Sequence, residues 1–254
     1  MRLALLVLWI LAPDLRALQL YERMAFQPAT ATDDAARRVA EILEKKEHWV
    51  GAYSLLGDKF GPFPDDLVVT VDFDHRGEEL AQASVRKARA TISFNLAKLA
   101  VGQRSLDEFY AKKKAAEARG NRLELKIPPV KVDRIIYHEL LHVLQQGSGG
   151  PLWFVEGMAQ LAGDDPNSIY GFMNDKKSVR KIDAALDRDR DAYARGHLFW
   201  KWLDSRGVVQ RVFELSVVKR IAWKDALVEA TQLSWDVLVD MEREWSQQEL
   251  EKLR

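Results

Sequence analysis

Apolar residues recur at two different spacings in the first half of the chain, and only the helical spacing continues into the second. From Thr30 to His48, Val39, Ile42 and Leu43 share one face while Asp33, Asp34, Arg37, Arg38 and Glu41 lie elsewhere. That pattern predicts an amphipathic helix with acidic residues suited to its N-terminal dipole. Glycine and proline punctuate residues 57–64, after which the β-branched run Leu67–Phe73 reads as a strand. Ala90–Phe94 reads as its partner, with Ile92 and Phe94 alternating with polar neighbours. Ser105 and Glu108 fit the S-x-x-E capping box and predict a charged helix that reaches Arg119 and stops at Gly120. The lysines 112–114 fall on its solvated face. Leu123–Ile127 alternates again and predicts a third strand, closed by Pro128 and Pro129, whose free edge would suit strand addition by an extended peptide.

Beyond residue 130 only helices are expected. They cover 131–146, 152–162, a short charged piece over 177–187, 193–206 closed by Gly207, then 208–218, 223–230 and 234–253, with 163–174 as a loop. The fold class is therefore α+β. A mixed part over 30–130 and a helical part over 131–254 form one domain, with no repeat or low-complexity tract.

The helix over 131–146 differs from the others in being apolar on more than one face. Ile136, Leu140, Val143 and Leu144 make one stripe, and Ile135 shares a second face with His138 and His142, as expected of a central helix. Two buried imidazoles are costly unless they are paired or bind a metal. His138, Glu139 and His142 spell HExxH, which puts both imidazoles on one helical face for a single zinc. It also leaves the Glu139 carboxylate beside them as a general base for a water that the metal activates. A catalytic zinc usually takes three protein ligands. The glycine-rich connection 146–151 is short and favours an antiparallel neighbour, the helix over 152–162. There Trp153, Glu156 and Gln160 follow one another at helical spacing, so Glu156 can look back at the histidines as third ligand. Gly157, unfavourable in a helix interior by about 1 kcal/mol relative to alanine, and Ala159 would let that helix approach the first.

Composition narrows the remaining choices. Lys plus Arg number 38 and Asp plus Glu 38, so nothing points to a nucleic acid or another polyanion. There is no cysteine, which removes disulfides, thiolate metal sites, cysteine nucleophiles and a lipoprotein anchor together. Of the other histidines, His48 and His75 lie in polar surroundings and read as exposed. The tryptophans at 200, 202, 223, 235 and 245 fit helix packing. Met1 and Arg2 precede the apolar run Leu3–Ala12, about ten residues where a membrane span needs about 20. Residues 1–18 thus read as an export signal with Ala17 as cleavage position and a periplasmic or secreted destination; an N-terminal helix packed on the domain, or an uncleaved anchor, is the alternative.

With HELLH and Trp153-Phe-Val-Glu156-Gly157-Met-Ala159 both in view, the chain resembles the gluzincin metallopeptidases of the peptidase MA-like group, in which HExxH is followed by a W-x-x-E-G-x-A helix. Tyr193, Gly196 and Phe199 are similar to that group's Y-x-x-G-x-x-F helix. The resemblance implies a zincin-like fold with a small sheet above the HExxH helix. It implies zinc held by His138, His142 and Glu156, Glu139 as base, a peptide or protein substrate, and an oxyanion donor at Tyr193, with His197 as second choice. Gln160 stands where an acidic partner would be more usual, and Gln232 where the group often has glycine. Two rival readings stay open: a non-enzymatic binding module with structural zinc, and a zinc amidase acting on a non-peptide substrate.

Overall fold

The computed structural model describes residues 15–31, 33–121, 131–164, 179, 181–182 and 192–252. The chain forms two compact units, Met1–Tyr53 with Pro64–Leu140 and Ser54–Phe63 with Leu141–Arg254. It is an α+β protein with a small mixed sheet. Among the described residues no helix is long and apolar enough to cross a membrane.

The sheet belongs to the first unit. Its strands are β1 (Ala25–Phe26), β2 (Val68–Asp72), β3 (Ala81–Arg86) and β4 (Arg89–Phe94), in the order β1-β2-β4-β3. β2 runs parallel to β1 and to β4, while β3 and β4 form an antiparallel hairpin. Alternation decides which face is covered: Val69 and Val71 of β2 and Ala90, Ile92 and Phe94 of β4 are buried, as period-two spacing requires. The strands expected over 67–73 and 90–94 are these two. β3 carried no comparable signal, because its sequence AQASVR buries only Ala81.

Among the helices that accompany the sheet are α1 (Asp34–Leu43), α2 (Lys46–Lys59) and α3 (Leu96–Glu117). The single helix expected over 30–48 is in fact α1 followed by the start of α2. Asp33 opens α1 by accepting from the Ala36 N–H at 2.9 Å, and that bond, with Arg104 alongside, holds its carboxyl below the ordinary range. At the break the Leu43 carbonyl accepts from the Trp49 indole N–H at 2.6 Å. α2 buries Trp49, Ala52, Tyr53 and Leu56, a continuous helical stripe. A Cβ at Gly51 would lie 3.1 Å from the Tyr137 hydroxyl. Trp49 meets Phe26 and Phe94 edge-on, at 5.8 and 6.4 Å between centroids.

The capping box expected at Ser105 is not a helix start. α3 begins at Leu96, where the Asn95 side chain accepts from the Lys98 N–H at 3.1 Å. Ser105 lies in mid-helix and donates to the Val101 carbonyl at 3.2 Å, the usual outlet for such a hydroxyl inside a helix. Residues 15–22 are helical with Ala17 and Leu20 buried, and Arg16 pairs with Asp65 at 2.6 Å. Ala17, the candidate cleavage position, is thus a buried residue of a helix. The strand expected over 123–127, the apolar run Leu3–Ala12 and, apart from residues 179, 181 and 182, the helix expected over 177–187 lie outside the described residues.

Helix α4 (Val132–Leu144) runs through the division between the units. The second unit adds α5 (Leu152–Gly163), α6 (Ala192–Ser205), α7 (Val209–Phe213), a π-helical turn (Glu214–Val218), α8 (Trp223–Thr231) and α9 (Trp235–Lys252). Packing is dominated by aromatic rings. Trp153 lies 5.0 Å from Phe199 and 5.4 Å from Trp223, and Phe154 lies 5.0 Å from Trp200. The Trp200 indole N–H donates to the Phe154 carbonyl at 2.7 Å, which satisfies the polar end of a buried ring. Gln232 has φ +56° at the end of α8, a left-handed position that favours the glycine the resemblance leads one to expect there.

Candidate metal centre

α4 buries Ile136, Leu140, Leu141 and Val143, and this stripe fixes which face His138 and His142 occupy. Both imidazoles are half-buried, less enclosed than the apolar pattern suggested. The helix ends at Leu144, and Gly147 turns the chain with φ +67°. Arg220, from the loop after the π-helical turn, donates to the Gln146 carbonyl at 2.6 Å. That places a cation where the C-terminal end of a helix dipole favours one. The chain then re-enters a helix at Pro151, with α5 following.

α5 brings Glu156 to the histidines. Its Oε2 lies 3.5 Å from His142 Nε2, and the two side chains are 17% and 19% exposed. His138, His142 and Glu156 each offer one ligand atom, and these atoms all lie within 4.8 Å of one another. The expected three-residue donor set is therefore brought together. Two imidazole nitrogens and one carboxylate oxygen suit a transition metal such as zinc, with a coordination position left over.

Gly157 serves a different purpose from the one its position suggested. A Cβ there would come within 2.4 Å of the Gly196 backbone on α6, and a Cβ on Gly196 within 2.0 Å of the Trp153 carbonyl. The glycines therefore let α5 cross α6 at backbone contact, rather than letting α5 approach the HExxH helix. Glu156, adjacent to Gly157, is oriented by this crossing.

Glu139 is 5% exposed, a carboxylate enclosed beside the first histidine. Burial also pushes the Tyr137 phenol above its ordinary pKa. Tyr193 stands on the first turn of α6 and is 40% exposed, while His197, one turn later, is buried beside Gly196. Gln160 is half-buried on α5. His48 and His75, expected in solvent, are half-buried, and His75 lies 3.5 Å from Glu79.

Sequence reasoning overlooked Gln145. It lies just past α4, three residues after His142, and its side-chain oxygen is 2.8 Å from His142 Nδ1. Its amide nitrogen donates to the Val155 carbonyl at 3.0 Å. The signal was present in the i, i+3 spacing from a candidate ligand, which puts a polar residue on the histidine's own face.

No protein-family model matches this chain, and neither a curated protein nor a solved structure matches it. What the fold and the site define is an α+β protein with a His–His–Glu group that could hold one metal ion.

Proposed function

We propose that the protein is a zinc-dependent metallopeptidase of zincin-like fold, exported from the cytoplasm, that hydrolyses peptide bonds. The observation that carries this reading is the convergence of His138, His142 and Glu156 within 4.8 Å, with Glu139 enclosed at the next helical position. The three donors fit zinc by type and number. Zinc held there would supply a Lewis acid that polarises the scissile carbonyl and acidifies a water. Glu139 accepts a proton from the attacking water at a carboxylate oxygen and passes it to the nitrogen of the departing amine. Tyr193 donates its hydroxyl proton in a hydrogen bond to the oxyanion that develops on the carbonyl.

The test is cleavage of a peptide library by zinc-loaded wild type and Glu139→Gln, with zinc content measured on both. The variant is expected to keep its zinc and to cleave about 10²–10⁴-fold more slowly, the usual contribution of a general base. Equal rates overturn the reading. Zinc bound without cleavage of any peptide, together with unfolding on metal removal, indicates the structural-zinc module instead.

A further inference from the structure

The side chain of Gln145 is buried at the junction of the two ligand-bearing helices. Its amide nitrogen faces two groups that can only accept, the Val155 carbonyl at 3.0 Å and the Met158 sulfur at 3.2 Å. The NH₂ end of the amide is therefore fixed on the α5 side, and the carbonyl end faces His142 Nδ1 at 2.8 Å. An amide oxygen accepts and cannot donate. The hydrogen in that bond must come from the imidazole, so the neutral ring carries its proton on Nδ1 and its lone pair on Nε2. Nε2 is the atom that lies 3.5 Å from the Glu156 carboxylate.

We propose that Gln145 is the positioning residue of this centre: it selects the Nδ1–H form of His142 and so keeps the Nε2 lone pair aimed at the space shared with Glu156. The inference rests on the metal reading above and adds to it. The same amide reaches across to α5 and bonds the carbonyl of Val155, and this bond fixes which end of the amide faces His142. Without Gln145 the imidazole loses the acceptor that holds its proton on Nδ1, and a proton moved to Nε2 or a ring turned over removes the lone pair from the site. Hydrogen bonds of this kind orient histidine ligands and raise their basicity, and losing one typically weakens metal binding about 10–100-fold.

The geometry also distinguishes this role from simple packing. Gln145→Leu removes both hydrogen bonds at similar volume. Gln145→Glu keeps an acceptor for the Nδ1–H while giving up the donor to Val155. A positioning role predicts that the glutamate restores what the leucine loses. A purely structural role predicts that both variants fail alike, since neither keeps the Val155 bond.

The test has two readouts. The first is the ring ¹⁵N chemical shifts of His142 in metal-free wild type with the imidazole neutral, where the proton is expected on Nδ1; a proton on Nε2, or an even mixture, overturns the proposal without any variant. The second is zinc affinity by chelator competition. Gln145→Leu is expected to bind about 10–100-fold more weakly, and Gln145→Glu close to wild type. A folded leucine variant with wild-type affinity, or a folded glutamate variant as weak as the leucine one, also overturns it. Wild type that takes up no zinc removes the metal reading, while the ¹⁵N shifts still decide which nitrogen Gln145 selects.

Discussion

Two enclosed polar clusters, Arg195 with Glu242 and His142 with Glu156, show what separates a structural ion pair from a group that could hold a metal ion. Arg195 on α6 and Glu242 on α9 are fully buried and bonded through both terminal guanidinium nitrogens, Nη1 and Nη2. Ser246 donates to the same carboxylate at 2.6 Å. The charges cancel within the chain, and the fork geometry of arginine on a carboxylate is complete. His142 and Glu156 are also close, but in the Nδ1–H form proposed above for His142, bonded to Gln145, a lone pair and not a proton faces the carboxylate. Two acceptors at 3.5 Å, with a second imidazole nearby, are stable neighbours when a cation lies among them. The first cluster is closed to chemistry. The second could hold a cation and is partly open to solvent.

The sharpest way to break that comparison is to remove one partner of the closed pair. Glu242→Ala leaves the Arg195 guanidinium buried and uncompensated, and is expected to cost about 3–5 kcal/mol. The Arg195→Met/Glu242→Leu double variant should lie near wild type in denaturant unfolding. Zinc affinity should be unchanged wherever these proteins remain folded; a Glu242→Ala variant as stable as wild type would contradict the assignment.

The open cluster should respond to metal instead. Thermal or denaturant unfolding of wild type is expected to gain about 2.7 kcal/mol at free zinc about 100 times Kd. Glu156→Gln should show almost none of that gain at the same zinc concentration, while its metal-free stability stays close to wild type. A similar zinc response in both would remove Glu156 from the ligand set.

Between the two lies the crossing that orients Glu156. Gly157→Ala forces a methyl against the backbone of Gly196, which cannot yield as a flexible side chain would, and is expected to cost about 1–3 kcal/mol. The measurement is denaturant unfolding, with Gly57→Ala as control, since a Cβ at Gly57 meets nothing within 4 Å. Smallest in stability is Tyr193→Phe, expected within about 0.5 kcal/mol of wild type because the residue is at the surface. If Tyr193 serves the oxyanion, the same variant slows peptide cleavage about 10²–10³-fold; an unchanged rate takes the role from Tyr193.

Much of this was legible because a few residues carry their own geometry. HExxH needs only the helical period to bring two imidazoles together, and the short turn after Gln146 forces a returning helix, so the convergence with Glu156 followed from spacing. Other features depended on contacts that spacing does not express. Gly157 signalled a close approach, but not that its partner would be Gly196, nearly forty residues later. Gln145 carried no motif; its importance comes from facing His142 and Val155 at once. β3 is polar on almost every position and shows itself only through pairing with β4. Ser105 and Glu108 satisfied a local rule that Asn95, ten residues earlier, had already made unnecessary by starting the helix.

The central claim is that His138, His142 and Glu156 form one metal centre. It is tested most directly by metal analysis of purified wild type beside His138→Ala, His142→Ala and Glu156→Ala, all exposed to the same limiting zinc. The account predicts one zinc per chain in wild type and loss of bound zinc in each variant. Wild type without bound zinc, or variants that hold as much as wild type, would contradict it.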